Sequence, residues 1–152
     1  MQHFGSVIRL SKYGMLKIMG IAVIGEGTTL RCEEGAIIKL GDNFYCNCNC
    51  YIRSTNSISF GEDCALGWNV QINTTDGHPV YHGSTPTMMS MPVSIDLHIW
   101  LTSNVILSKG ATIADGCIVA QGAVVTKSFR EANVLLGGVP AKKKAENVEW
   151  KK

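Results

Sequence analysis

The chain has 152 residues, one domain's length and enough to bury a single core. With 45% hydrophobic residues, 17% charged residues and a formal net charge of +2, it fits neither a disordered coil nor a strongly cationic nucleic-acid binder. No apolar run approaches the ~20 residues of a membrane span, and Met1-Gln2-His3-Phe4-Gly5 lacks the basic and apolar blocks of a signal peptide, so a cytoplasmic domain without membrane insertion is expected.

In chain order, residues 1–21 are apolar but irregular and read as a lead-in coil or a short helix. A six-residue rhythm then begins. Ile24 and Leu30 make one pair, Leu40, Cys46, Ile52 and Ile58 make a run, and Phe60, Leu66 and Ile72 continue it. Phe44, Cys50, Cys64 and Val70 fill a second slot four residues after the main one, and Gly25, Gly41, Gly61 and Gly67 follow it directly. The polar, turn-rich stretch from Asn73 to Thr87, then Met88, Met89 and Met91, breaks the rhythm. A loop of that length between regular units is uncommon unless it works, and rigid scaffolds favour loops for chemistry. The rhythm resumes at Ile95, Leu101, Leu107, Ile113, Val119 and Val125, with Ile99, Val105, Ala111, Cys117 and Ala123 in the second slot. Residues 131–152 leave the pattern at Gly137-Gly138-Val139-Pro140 and carry Lys142-Lys143-Lys144.

A period of six matches neither a helix at 3.6 nor an alternating strand at 2. It matches a short strand plus a tight turn, three of which close a triangular coil. The expected fold is all-β: a parallel β-helix of about five triangular coils in a single domain. The segments are a lead-in (1–21), first coils (22–75), an excursion loop (76–92), last coils (93–130) and a short C-terminal tail (131–152). Sixteen glycines against four prolines suit many tight corners. Cys46, Cys50, Cys64 and Cys117 fall in inward slots as core fillers, while Cys32 and Cys48 have no assigned slot. A secreted disulfide framework and a zinc site of ordinary spacing are both disfavoured.

Five stretches carry a resemblance: Gly41-Asp42-Asn43-Phe44-Tyr45-Cys46-Asn47, His78-Pro79-Val80-Tyr81-His82, Ile99-Trp100-Leu101-Thr102-Ser103, Val124-Val125-Thr126-Lys127 and Gly138-Val139-Pro140-Ala141-Lys142. In this order and spacing the chain resembles the hexapeptide-repeat acyltransferases with a left-handed parallel β-helix, closest to the galactoside, maltose and polysaccharide O-acetyltransferases. The left hand is implied by the resemblance alone, since crossovers between parallel strands are normally right-handed.

The resemblance implies an acetyl-CoA-dependent O-acetyltransferase in polysaccharide biosynthesis, with no metal, acting as a homotrimer with sites between subunits. His78 takes the place of the general base, with His82 and His98 as weaker alternatives. Asp76 stands two residues before it, as its orienter or as an Asx-type turn residue beside Gly77. The Ser103 backbone N–H is the implied oxyanion donor, and Asn47 and His82 lie on the acceptor side. Gly67, Trp100, Ser103, Gln121, Gly122, Thr126, Lys127 and Lys142 are implied along the coenzyme A path, where lysines meet phosphates as point charges. Thr102 and Gln121 depart from the family, which has Gly and a small residue there, and the helical N-terminal segment of the sugar enzymes has no counterpart. No Ser-His-Asp or Cys-His signature argues for an acyl-enzyme, so direct transfer is expected. Two alternatives stay open: a non-catalytic scaffold or sugar-binding module, and a γ-type carbonic anhydrase-like zinc protein using His78, His82 and His98.

Overall fold

The computed structural model describes residues 5–152; residues 1–4, on which the signal-peptide reading chiefly rests, lie outside the described residues. No helix occurs among the described residues. Short strands follow one another round a three-sided solenoid. The first turn comprises β1 (Val7–Leu10), β2 (Met15–Ile18) and β3 (Ala22–Ile24), and the second β4 (Thr29–Cys32), β5 (Ile37–Leu40) and β6 (Phe44–Cys46). The third is β7 (Tyr51–Ser54), β8 (Ser57–Phe60) and β9 (Ala65–Leu66). The fourth begins with β10 (Gln71–Asn73), is interrupted by the hairpin β11 (Tyr81–His82) and β12 (Thr85–Pro86), and resumes with β13 (Val93–Ile95) and β14 (Trp100–Leu101). The fifth is β15 (Ile106–Leu107), β16 (Thr112–Ile113) and β17 (Ile118–Val119). The last is β18 (Val124–Val125), β19 (Ser128–Phe129) and β20 (Leu135–Gly137), after which β21 (Lys142–Ala145) folds back antiparallel on β20.

Strands stack into three parallel sheets, here called faces A, B and C: β1-β4-β7-β10-β15-β18, β2-β5-β8-β13-β16-β19 and β3-β6-β9-β14-β17-β20-β21. The register explains the period of six. On face A, Leu30, Ile52, Ile72, Leu107 and Val125 pair in one column. On face C the column is Cys46, Leu66, Leu101, Val119 and Leu136. All of these side chains are buried. At the ~4.8 Å ladder spacing each packs on the one above and below, so the core is a continuous narrow rod.

Five turns enclose that rod. The first turn is exposed, with Ile8 in the face A column 52% accessible because nothing among the described residues stacks beyond it. The lead-in is thus a coil rather than a helix. The last turn runs on to Gly137, past the boundary at 130 read from the rhythm, because the irregular Arg130–Asn133 corner breaks the count of six.

All six cysteines are free thiols; Cys32, Cys46, Cys50, Cys64 and Cys117 are buried and Cys48 is half-buried. Cys32, given no slot from the sequence, lies inside with its thiol donating to the Ala36 carbonyl at 3.0 Å. Burial pushes the Cys64 thiol up to about 11, as expected of an inert core filler.

The excursion springs from the edge between faces A and B. Its neck is closed by a Thr75–Ser90 bridge and by the Thr55 hydroxyl, 3.1 Å from the Thr74 hydroxyl and 2.8 Å from that of Ser90. The Lys109 ammonium donates to the Asp76 carboxylate and to the Met88 carbonyl, tying both ends of the loop to the fifth turn.

Candidate active site

The corners between faces C and A form a row of tight turns, and a cleft of about 480 Å³ lies along them. It gathers five of the residues singled out from the sequence: Asn47, Gly67, Trp100, Ser103 and Gln121. Ser103 is fixed at two points. Its hydroxyl accepts the Trp68 N–H at 3.2 Å, and its carbonyl accepts the Gly122 N–H at 3.1 Å. Its own N–H has no acceptor among the described residues. A rigid, unpaired donor of this kind can hold developing negative charge, and losing one costs roughly 3 kcal/mol of transition-state stabilisation.

Gly67 makes this possible. A β-carbon there would stand 2.6 Å from the Ser103 nitrogen, inside contact distance, so only glycine leaves that donor in place. Gly122 adopts φ +73, the left-handed region that the corner requires. Asn47 is in part the turn residue that its setting suggests, since its Oδ1 accepts the Cys48 N–H at 2.9 Å. Its amide NH2, free among the described residues, remains to donate. Trp100 sits half-exposed on face C between Ala65 and Ile118. The Thr102 hydroxyl donates to the Val119 carbonyl at 2.7 Å, which turns this departure from the family back into the scaffold.

His78 does not line the cleft. It is exposed on the excursion loop, at the opposite edge of face A, with no side-chain hydrogen bond among the described residues. His82, on β11, is exposed as well. Asp76 makes no hydrogen bond to His78 among the described residues, and its Oδ2 accepts from Lys109. Thr126 and Lys127, which follow β18, are exposed at the same A–B edge as the loop, the Lys127 ammonium 5.4 Å from the Phe129 ring centre. Lys142, on β21, has no acidic partner among the described residues. Its neighbour Lys143 binds Glu131 at 2.9 Å and Glu146 at 2.5 Å.

His98, a weaker candidate for the base, is committed elsewhere. Its Nδ1 pairs with Asp63, its Nε2 donates to the Trp150 carbonyl at 3.0 Å, and its ring stacks on the Trp150 indole at 4.2 Å. Among the described residues no three His, Cys, Asp or Glu side chains stand close enough together to hold a metal ion. Nor is any helix among them long and apolar enough to cross a membrane. Sequence reasoning missed Trp68 and Trp150. Trp68 follows Gly67 at a corner, but Trp150 lies in a charged tail where no periodicity marks it.

No family model matches the chain. It is 34% identical over 127 residues to the galactoside O-acetyltransferase of Escherichia coli K12, covering 80% of this chain and 62% of that protein. It is 32% identical over 93 residues to nodulation protein L of Rhizobium meliloti, covering 57% of this chain and 50% of that one. The chain thus spans less than two thirds of the length of these curated relatives. Among solved structures, a galactoside acetyltransferase in complex with coenzyme A superposes with a TM-score of 0.66 at 27% identity, over 87% of this chain and 64% of that one. By sequence and by its β-solenoid, this chain is a homologue of the galactoside O-acetyltransferase group and is built as the hexapeptide-repeat acetyltransferases are.

Proposed function

We propose that the protein is an acetyl-CoA-dependent O-acetyltransferase, acting on a hydroxyl of a sugar or surface-polysaccharide precursor in the cytoplasm. The observation that carries this reading is the fixed, unpaired Ser103 N–H in a cleft at one edge of face A. The complementary half, His78 with Thr126 and Lys127, stands at the other edge. Face A carries half-exposed apolar residues such as Tyr51 and Ile106. Three copies with this face turned to a common axis bring each loop to the next copy's cleft, and closed rotational symmetry makes all three sites equal. We therefore read the protein as a homotrimer with shared sites.

In this arrangement His78 of one copy removes the proton from the acceptor hydroxyl, and the oxygen attacks the thioester carbonyl lying in the neighbouring cleft. The carbonyl oxygen gains charge and is held by the Ser103 N–H. The carbon–sulfur bond breaks, and the imidazolium gives its proton to the leaving thiolate, which departs as free thiol. Neutral imidazole suits this exchange near neutral pH. The Asn47 amide positions the acceptor. Trp100, Gly67, Gln121 and Gly122 line the donor's path, with Lys127 and Lys142 offering charge to phosphates. The test is release of free thiol from acetyl-CoA with a panel of sugars, together with light scattering. Release that needs a sugar acceptor, from a particle of trimer mass, is the expected result. A monomer, or no acceptor-dependent release, overturns the reading.

A further inference from the structure

A second hollow of about 380 Å³ adjoins the cleft on face C, with Tyr45, Trp100, Trp150, Lys151 and Lys152 among its walls. The two hollows meet at Tyr45, Ala65 and Trp100, which line both. One wall comes from the tail and is firmly held. The Trp150 indole N–H donates to the His98 carbonyl at 2.9 Å, its ring is stacked on the His98 ring, and it is only 8% exposed. Lys152 pairs with Asp63 at 3.1 Å and donates to the Asn43 carbonyl. Trp100 stands 6.0 Å from Trp150 at 37°, so two indoles and the Tyr45 ring surround the space.

Aromatic walls of this kind suit the flat C–H face of a sugar ring, while its hydroxyls keep to the polar rim. The charge on the lining is one-sided: two lysines and no acid. Lys151 meets Glu149 only at 3.6 Å, with both side chains well solvated, a contact that water screens. We infer that this hollow is the acceptor subsite, and that Trp150 and Lys151 select a pyranose ring carrying an anionic group. The inference rests on the acetyl-transfer reading above and adds to it the class of acceptor. The hollow shares Tyr45, Ala65 and Trp100 with the Ser103 cleft, so a ring seated against Trp150 lies on face C next to the proposed site of transfer.

Calorimetric titration without acetyl-CoA tests it, using methyl β-D-glucuronide, methyl β-D-glucoside 6-phosphate and the neutral methyl β-D-glucoside. Expected is saturable binding with one or both anionic sugars preferred by about fivefold or more, a margin of roughly 1 kcal/mol. Trp150→Ala weakens all three by about tenfold, and Trp150→Phe recovers part of the loss. Lys151→Glu erases the preference for charge and leaves the neutral sugar's affinity in place. In turnover, Trp150→Ala raises the KM for the acceptor and leaves that for acetyl-CoA unchanged. No saturable binding of any of the three, or Trp150→Ala binding all of them as the parent does, overturns the inference. Acetyl-CoA-dependent thiol release from other acceptors still stands in that case, so the two readings fail separately.

Discussion

The two edges of face A are built in opposite ways. At the C–A edge, every chemical group is placed by the repeat itself: Gly67, Ser103 and Gln121 occupy equivalent corners of successive turns, locked by ladder hydrogen bonds such as Gly67 N–H to Leu101 O at 2.8 Å. At the A–B edge the repeat is interrupted, and His78 is presented on a loop that is pinned only at its neck. The repetitive edge supplies a preorganised donor, which electrostatic stabilisation needs. In the proposed trimer the irregular edge supplies the base, reaching from one chain to the next. Within one chain the cleft beside Ser103 and the exposed His78 lie at opposite edges of face A, so the transfer proposed above needs two prisms.

Replacing His78 has the largest expected effect. His78→Ala lowers turnover by about 10²–10⁴-fold and leaves the KM for acetyl-CoA near that of the parent. Activity within about tenfold of wild type sinks its role as base. Gly67→Ala strikes the other edge, since the added β-carbon meets the Ser103 nitrogen. If sites are shared, two inactive variants complement one another. Subunits of His78→Ala and Gly67→Ala, unfolded together and reassembled in equal amounts, regain activity at about a quarter of their sites. Mixtures as inactive as their components would place both edges of one site in one chain.

The same contrast explains what was legible in the sequence. Ile72, Leu107 and Val125 announce a solenoid because each turn must fill the same interior slot, and the structure stacks them in register. Asn47, Gly67, Trp100, Ser103 and Gln121 are marked by the resemblance, and they meet because the ladder stacks their corners in register even where the excursion loop lengthens the separation in sequence. Spacing is silent where the rhythm stops. It fixes a repeat length and no chirality, so the hand of the coil came from resemblance. It did not show that Lys109 takes Asp76, a contact between the loop and a later turn. Nor did it find Trp150, whose position depends on a tail folding back over His98.

Stability separates the edges next. Leu101 is fully buried, one residue before the Thr102-Ser103 corner, and pairs with Leu66 and Val119. Leu101→Ala is expected to cost about 2–5 kcal/mol in denaturant unfolding, through lost contacts and a cavity that the stack closes poorly. Val80, 43% exposed on the excursion loop, gives the matching control. Val80→Ala is expected to change stability by about 0.5 kcal/mol or less. Equal losses at the two positions would show the loop to be part of the cooperative core rather than an appendage of it.

The smallest effect concerns the tail and is read by pH. Burial tends to raise the Asp63 carboxyl, but hydrogen bonds from Lys152 and His98 and the positive charge beside it outweigh that and hold it below the usual carboxylate range. A depressed carboxyl stabilises the docked tail above its ordinary pKa, and that contribution is lost as pH falls through the lowered folded value. The tail is therefore expected to stay docked from neutral pH to about pH 4 and to loosen below it, with tryptophan emission moving to the red as Trp150 meets water. The contact is partly solvated, so the change is modest. Asp63→Asn removes the titrating group: emission at neutral pH already lies part of the way to the red, and the acid step flattens. An unchanged acid transition in that variant would mean that a group other than Asp63 governs the docking, and that the Asp63–Lys152 pair plays no part in holding the wall of the hollow.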